Sequence, residues 1–330
     1  MTDPKVAIII VNWNGLRFLE DCLTAVYRQS YQNFEVFFVD NGSRDGSVAY
    51  VREHFQKVKI IALQENTGFA KGNNEGMKEA FKDRDIAYIV CLNNDTIVDV
   101  HWLASLVAVA QTDGSIGAVS SKAYFIGGEV INNAGLIFEK ALQRNAKGGI
   151  SMGYGLTDQE APELSREIEI FAAGGVAPLY RRDVLERLYK RDGEVFDEDY
   201  FAYVEDLDLG FRIKGLGYKA YLAPGATLIH LHSQTGGKAS PFKAYYCERN
   251  TILTAIKDLS FVDLILFPFR NIGLKLSYLR KKNESVEKLQ EGMGMFSMIR
   301  ILCKAHFFAF LLFPKFVWKR CRVGIKKYDA

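Results

Sequence analysis

The chain has 330 residues, 48% of them hydrophobic and 25% charged, which excludes a disordered protein and fits one large domain with an appendage. Five scattered cysteines and an N-terminus without an apolar leader predict free, mostly buried thiols, no secretory signal and a cytoplasmic location. The net charge of +3 is uneven: residues 261–330 hold 14 basic and 5 acidic residues, a net of +9, whereas the first 260 residues hold 28 basic and 34 acidic ones, a net of −6.

The first third of the chain alternates short β-branched segments with helical patterns. We predict strands at residues 5–11, 35–39, 58–63 and 87–92, and helices at 16–28, 47–54 and 70–81. This alternation predicts an α/β protein with a mostly parallel, doubly wound sheet. In such sheets ligands bind beyond the carboxyl ends of the strands.

Each predicted strand is followed by a polar loop. The four loops read NWNG (12–15), DNGS (40–43), ENTG (65–68) and NND (93–95). Turn chemistry alone explains any one of them, because Asn, Asp and Gly favour turns. Four such loops at one edge of a sheet point instead to a ligand site.

Later segments differ in character. Residues 124–170 are glycine-rich and weakly periodic, which predicts an insertion or long loop near the site. Residues 171–232 return to strand and helix patterns, and an Arg181-Arg182 pair is expected at an exposed helix start. Beyond about residue 260 the sequence becomes aromatic, basic and helical.

Seven motifs follow one another in a fixed order between residues 5 and 250. They are IIIVNWNG (8–15), FFVDNGSRDGS (37–47), ENTGFAKGNN (65–74), CLNNDT (91–96), FAAGGVAPLYRRDVL (171–185), FDEDYFAYVEDLDLGFRIKGLGYKAYLAPGATLIH (196–230) and YYCERN (245–250). In this order and spacing the sequence resembles the family 2 glycosyltransferases of the GT-A fold, particularly the bacterial rhamnosyltransferase-like branch.

The resemblance implies a domain organisation. A GT-A (Rossmann-like) catalytic domain would occupy residues 1–260, with a nucleotide-sugar half of about 1–123 and an acceptor half of about 124–260. Residues 261–330 would form a helical extension.

The resemblance also implies which strand-end residues contact a nucleoside diphosphate sugar. Asp40 would accept a hydrogen bond from a pyrimidine N–H or a ribose hydroxyl, and capping of its own turn is the structural alternative. The glycine-containing helix start near residue 68, with its lysine, can face phosphate. The implied nucleotide-sugar-binding residues are Asn12, Asn14, Asp40, Gly42, Asn66, Gly68, Lys71, Asn73, Asn93, Asn94 and Arg249.

The LNND segment occupies the family's DxD position, with Asn93 in place of the first carboxylate. A hard divalent cation, Mg²⁺ or Mn²⁺, prefers oxygen ligands, so Asp95 is the expected metal ligand; helix capping is its alternative role. His230 lies 24 residues after Asp206, the spacing at which related transferases place a histidine on the metal. Imidazole suits Mn²⁺ better than Mg²⁺, and His232 is the alternative ligand.

Three carboxylates lie within four residues of a predicted helix. Glu205 and Asp208 would project to one side, with Asp206 about 100° from Glu205, so the three cannot share one role. By the resemblance, Asp206 is the general base that takes the proton of the acceptor hydroxyl; an acidic helix start is the alternative. Gly174, Gly175 and Glu205 are expected on the acceptor side.

The tail contains two apolar runs, FVDLILFPF (261–269) and FFAFLLF (307–313). Both fall short of the roughly 20 apolar residues of a membrane span. Basic clusters at 280–282 and 319–320, beside Trp318, suit helices that lie peripherally on the inner face of an anionic membrane. A homo-oligomer interface or a helical cap is the alternative, and no nucleic-acid partner is expected.

Together these features predict an inverting hexosyltransferase. The expected reaction moves rhamnose or a similar hexose from a dTDP- or UDP-sugar to a surface polysaccharide or a lipid-linked glycan. A nucleotidyltransferase would carry a basic, glycine-rich loop after the first strand, where this chain has NWNG. A non-catalytic carbohydrate- or membrane-binding relative would be expected to lose Asp95 or Asp206, and both are present.

Overall fold

The computed structural model describes residues 3–137, 151–231, 240–267 and 295–323. In these ranges the helices are α1 Leu16–Tyr27, α2 Ser47–His54, α3 Gly68–Ala80, α4 Trp102–Thr112, α5 Arg182–Asp192, α6 Glu205–Gly215, α7 Pro241–Asp258 and α8 Met295–Val323. Residues 261–267 are also helical. The strands are β1 Lys5–Asn12, β2 Phe34–Asn41, β3 Lys59–Leu63, β4 Ile86–Asn93, β5 Thr96–Val98, β6 Ile116–Tyr124, β7 Ile131–Asn133, β8 Ile168–Ile170, β9 Leu179–Arg181 and β10 Lys219–His230.

The strands form one twisted sheet in the order β3-β2-β1-β4-β9-β6-β10-β5. Neighbours among β3, β2, β1 and β4 are parallel, as are β6 and β10. The short strand β9 runs antiparallel between β4 and β6, so β6 and β10 point the same way as β4. The carboxyl ends of β1, β2, β4, β6 and β10 therefore meet at one edge.

Helices cover both faces of this sheet, which explains why β1 is an uninterrupted apolar run. Val6, Ile8 and Ile10 point into one core and pack with α1 and α4. Ala7 and Ile9 point into a second core on the opposite face. Strands buried on both faces read as continuous β-branched segments, which is the pattern seen in the sequence.

The predicted α/β class is confirmed. The four predicted strands and the first three helices form within one to three residues of their expected limits. The predicted insertion at 124–170 contributes β7 and β8, which pair with β6 and β10. Residues 138–150 of this segment lie outside the described residues.

Two expectations about surface residues were wrong. Arg182 is buried: its guanidinium donates to the carbonyls of Phe81 and Ile86, and this ties α5 to the end of α3 and the start of β4. The prediction of mostly buried thiols holds for Cys22 and Cys91, whereas Cys303 and Cys321 are exposed on α8.

Helix α8 packs along α7 and leaves an apolar face uncovered. Ala309 and Phe316 are buried against α7, but Phe310 is 74% exposed. The segment Phe296–Arg322 is long and apolar enough to cross a membrane by length and composition, which is weak evidence on its own. The sequence prediction missed this because it judged the run 307–313 by itself, whereas the helix that contains it extends from Met295 to Val323 and passes through Pro314.

Ion pairs hold the C-terminal half of α8 against the rest of the protein. Lys319 contacts the carboxylates of Glu194, Asp197 and Asp199. On the other side of Asp197, Lys257 of α7 lies 2.7 Å from its second oxygen. The same Lys257 reaches Asp208 of α6 at 2.6 Å, so a continuous ionic network joins α8, α7 and α6.

Candidate active site

The carboxyl edge of the sheet brings distant residues together. Asn12 ends β1 and faces Asp40 of β2 in register, while Asn93 ends β4 beside β1. His230 ends β10 and pairs with Thr96 of β5, the residue that follows Asp95. Four of the predicted site segments therefore share this edge.

Asp40 is buried and held by its neighbours. Its Oδ2 accepts a 2.9 Å hydrogen bond from the backbone N–H of Ser43, and its Oδ1 accepts one of 3.3 Å from Asn12 Nδ2. Asn12 in turn accepts a 2.7 Å bond from Asn94 Nδ2. A fixed carboxylate of this kind can accept further hydrogen bonds from a ligand N–H or hydroxyl.

Asn14 and Gly42 shape the loops around Asp40. Asn14 has φ of 50° and accepts a 2.8 Å bond from the N–H of Arg44, so the first loop is fastened to the second. Gly42 has φ of +75°, and a Cβ there would lie 2.6 Å from the backbone of Glu65. Both residues therefore set loop geometry through contacts within the protein.

Backbone N–H groups at the start of α3 donate hydrogen bonds to acceptors within the protein. The N–H of Gly68 bonds to Asn66 Oδ1 at 2.9 Å, and the N–H of Ala70 bonds to the carbonyl of Phe201 at 3.2 Å. Asn73 turns its amide back to the carbonyl of Phe69. Lys71 is half-buried in the first turn of α3, and its ammonium group can bind phosphate.

Asp95 and His230 form a pair suited to a divalent cation. Oδ1 of Asp95 lies 3.2 Å from Nε2 of His230. Two ligands that are each about 2.1 Å from an octahedral cation lie about 3 Å apart. Nδ1 of His230 is 2.9 Å from Asn132 Oδ1, and donation to this oxygen leaves Nε2 with the free lone pair that a metal ligand would need.

Asn93 stands where the family motif has its first carboxylate, and its side chain is a neutral amide. Its Oδ1 is buried, and no residue of the described ranges hydrogen-bonds to it. Within those ranges no group of three or more His, Cys, Asp or Glu side chains could hold a metal. The carboxylate of Asp95 and the imidazole of His230 are nevertheless donors of the kind that Mg²⁺ or Mn²⁺ binds, and their role as ligands stays a prediction.

Asp206 lies in the first turn of α6, beside a glycine loop. The backbone N–H of Gly175 donates to its Oδ2 at 2.9 Å, and the N–H of Leu207 donates to its Oδ1 at 2.8 Å. Gly174 is fixed by a 3.2 Å bond from its N–H to Ser120 Oγ. The carboxylate is thereby oriented, and the residue as a whole is half-buried.

The geometry is matched by comparisons with known proteins. The sequence profile described as "Glycosyl transferase family 2" matches residues 7–189, more than half of the chain. The chain belongs to glycosyltransferase family 2. This assignment makes the protein a glycosyltransferase and removes the nucleotidyltransferase alternative.

Two relatives of this family 2 glycosyltransferase are informative. An uncharacterized glycosyltransferase of Haemophilus influenzae is 24% identical over 84% of the chain and 78% of its own length. The O-antigen biosynthesis protein RfbC of Myxococcus xanthus is 30% identical over 70% of the chain, which spans only 17% of that relative.

Solved structures confirm the GT-A fold of this transferase. The mannosyltransferase PcManGT from Pyrobaculum calidifontis, solved with GDP-Man and Mn²⁺, has a TM-score of 0.56 at 17% identity, covering 98% of this chain and 86% of its own. GalNAc-T7 with UDP, GalNAc and Mn²⁺ has a TM-score of 0.61 at 15% identity, covering 94% and 58%.

The carboxyl group of Glu205, next to Asp206 of the transferase, has a higher pKa than an ordinary glutamate. Glu205 is buried, and its Oε2 has no hydrogen-bond partner in the described part of the chain. Burial first, and then the neighbouring Asp206, raise the pKa of Glu205 from 4.5 to about 8. Burial also raises the pKa of Asp206, against the lowering effect of the Gly175 and Leu207 N–H groups.

Arg249 holds the segment before the base. Its guanidinium is buried and donates to the carbonyls of Asp199 and Tyr200, and its contact with the nucleotide stays a prediction. Next to it, Asn250 donates to three carbonyls of the same segment, including those of Ala202 and Tyr203. His232, the alternative metal ligand, lies outside the described residues.

These contacts stabilise an unusual backbone. Phe201, Tyr203 and Val204 all have positive φ, between 64° and 72°, although none is glycine. Residues held in this region cost free energy and persist only where the surroundings fix them. Sequence reasoning missed Asn250 and Asn132 as supporting residues; the RN pair after Tyr246 and the asparagine run at 132–133 were the available signals.

Proposed function

We propose that this family 2 enzyme is an inverting hexosyltransferase that acts by single displacement. The arrangement of Asp206 supports this most directly, because two backbone N–H groups hold its carboxylate at the edge that also carries Asp95 and His230. As general base, Asp206 takes the proton of the acceptor hydroxyl while that oxygen forms a bond to the anomeric carbon. The bond to the nucleoside diphosphate breaks on the opposite face.

The nucleotide would lie over β1, β2 and β4. The buried carboxylate of Asp40 is positioned to accept from a base N–H or a ribose hydroxyl, and Lys71 supplies a positive charge for phosphate. Asp95 and His230 would hold a divalent metal, which neutralises charge on the leaving diphosphate. Burial of Glu205 beside Asp206 keeps a neutral acid next to the base at pH 7.

The donor is proposed to be a dTDP- or UDP-linked hexose, with rhamnose favoured. The resemblance to the rhamnosyltransferase-like branch supports rhamnose, and the O-antigen protein RfbC among the relatives supports a surface-polysaccharide or lipid-linked acceptor. A search for the donor would measure nucleotide release from dTDP-, UDP- and GDP-sugars, with Mn²⁺ or Mg²⁺. Absence of release from every nucleotide sugar would contradict the proposal.

We place the tail on the membrane surface. The uncovered face of α8 carries large apolar side chains, and the described residues 261–267 add Phe261, which is 71% exposed. Lys319 and Arg320 are bound to the catalytic domain, so that end of α8 is docked on protein, which favours a helix that lies along a bilayer. The basic cluster 280–282 lies outside the described residues.

A further inference from the structure

A cluster of aromatic rings begins five residues before the base, at Phe201. Phe201 stacks on Tyr246 with ring centroids 5.2 Å apart, and Phe242 lies 4.6 Å from Tyr246 and 6.3 Å from Tyr203. Tyr203 lies three residues before Asp206 in the chain, and the carbonyl of Phe201 accepts a 3.2 Å hydrogen bond from the N–H of Ala70 in the first turn of α3. The cluster therefore borders the reaction centre.

The rings continue without a break to α8. Tyr246 contacts Tyr245 at 5.0 Å, Tyr245 contacts Phe308 of α8 at 6.2 Å, and Phe308 contacts Phe307 at 5.6 Å. Phe307 belongs to the exposed apolar face of that helix. We call this surface the aromatic strip, and it consists of Phe201, Tyr203, Phe242, Tyr245, Tyr246 and Phe308. The aromatic strip extends from the segment before Asp206 to the face of α8 that is proposed to contact lipid.

Cations lie along the aromatic strip. Lys243 stands 5.8 Å over the ring of Tyr203, and Lys304 stands 5.1 Å over that of Tyr245. The whole of α8 carries six Lys and Arg residues and no Asp or Glu. The neighbouring acid on α7, Glu248, is buried beneath this surface, so the exposed charge at the middle of the strip is positive.

We propose that the aromatic strip binds an acceptor glycan carried on a lipid phosphate. The terminal sugar lies at Asp206, the phosphate lies beside Lys304, and the lipid chain follows the exposed face of α8. Aromatic rings suit both the apolar faces of sugars and a hydrocarbon chain, and an ammonium group suits phosphate. This inference rests on the proposed function, because it names the acceptor class of the same site.

Charge favours an amphiphile over other occupants of this surface. In a symmetric dimer through α8, the same basic helix would face itself, and like charges would oppose each other. A lipid-free glycan would leave the apolar face of α8 unused. An anionic lipid satisfies the charge and the apolar surface together.

The test compares two vesicles of equal charge by flotation of the full chain. Phosphatidylcholine vesicles contain either a long-chain polyprenyl phosphate or the same mole fraction of phosphatidic acid. We expect tighter binding to the polyprenyl phosphate vesicles, and a loss of about tenfold in Lys304→Glu, which is about 1.4 kcal/mol. Lys57→Glu has the same change of charge in the exposed turn before β3, at the opposite edge of the sheet, and should bind like the wild type.

Phe308→Ala provides a second variant that removes a ring without changing charge, and it should weaken binding to the polyprenyl phosphate vesicles more than binding to the phosphatidic acid vesicles. Equal binding to the two vesicles, or unchanged binding in Lys304→Glu, would overturn the inference. The wild type is assayed in parallel for nucleotide release from sugar donors. Release without preference for polyprenyl phosphate refutes only the acceptor class, whereas absence of release refutes the proposed function itself.

Discussion

The backbone N–H of Gly175 lies 2.9 Å from Oδ2 of Asp206 and donates a hydrogen bond to it. A Cβ at position 175 would lie 3.1 Å from the same oxygen, closer than ordinary contacts allow. The glycine therefore both orients the carboxylate and makes room for it.

Removal of the negative charge of Asp206 should abolish transfer. We expect Asp206→Asn to lower kcat by roughly 10²–10⁴-fold, because an amide cannot take the acceptor proton. Nucleotide affinity, measured by calorimetry, should change little. Asp113→Asn, an exposed turn residue before β6, is the matched control. Unchanged turnover in Asp206→Asn would remove this residue from the mechanism.

A methyl group at position 175 should displace the base. Gly175→Ala is expected to lower kcat about tenfold, and the nucleotide Kd should stay the same, because the three atoms nearest to the added Cβ all belong to the Asp206 side chain. Gly114→Ala is the comparison, since its Cβ would meet only Arg181 at 3.9 Å. Equal rates in the two variants would show that the position of Asp206 tolerates the shift.

The Asp95–His230 pair should govern the response to metal. In His230→Ala we expect the Mn²⁺ concentration for half-maximal activity to rise about 10–100-fold, because one of two protein ligands is lost. Stabilisation by nucleotide with Mn²⁺, measured by thermal shift, should fall in parallel, while stabilisation without metal should not. The comparison is His54→Ala, on the exposed surface of α2. A normal Mn²⁺ response in His230→Ala would exclude it as a ligand.

Glu205 should make stability depend on pH. Its pKa is raised from 4.5 to about 8 in the folded protein, so the folded state binds one more proton than the unfolded state between these values. The free energy of unfolding therefore falls as pH rises through this window, by about 1.4 kcal/mol per pH unit. Glu205→Gln should lose this contribution and gain stability relative to the wild type at pH 9. Parallel melting curves of the two proteins from pH 5 to 9 would contradict the assignment.

Lys319 and Lys315 offer a matched pair on α8. Lys319 is largely buried among three carboxylates, and its removal should cost about 3 kcal/mol because those charges remain. Lys315 is 52% exposed and contacts Asp199 alone, so its removal should cost less than about 1 kcal/mol. Urea unfolding of Lys319→Met and Lys315→Met measures both values. Similar losses would mean that the network is not cooperative.

Local sequence was sufficient for the parallel sheet and the edge loops. Continuous apolar strands such as 5–11 and the polar residues after them follow from burial and turn chemistry, which act over a few residues. Glu205 and Asp206 could be placed on one helix from spacing alone. The proposed roles of these residues came from the family resemblance and stay predictions.

Contacts between distant segments could not be predicted. In sequence Arg182 looks like a surface cation and Arg249 like a ligand contact, yet each is buried, and main-chain carbonyls from other elements accept hydrogen bonds from its guanidinium. The length of α8 was underestimated because packing on α7 supports a helix through Pro314 that composition alone would break. Such outcomes depend on tertiary structure.

The ionic contacts of Lys319 also bear on how these enzymes diversify. A relative that lost the tail would leave Asp199 without Lys315 and Lys319, and Asp197 with Lys257 alone, directly ahead of the segment that leads to the base. Gain or loss of the tail should therefore be accompanied by changes at positions 197 and 199. Among homologous sequences, an acidic pair there should mark chains that retain a docked C-terminal helix, and neutral residues should mark chains without one.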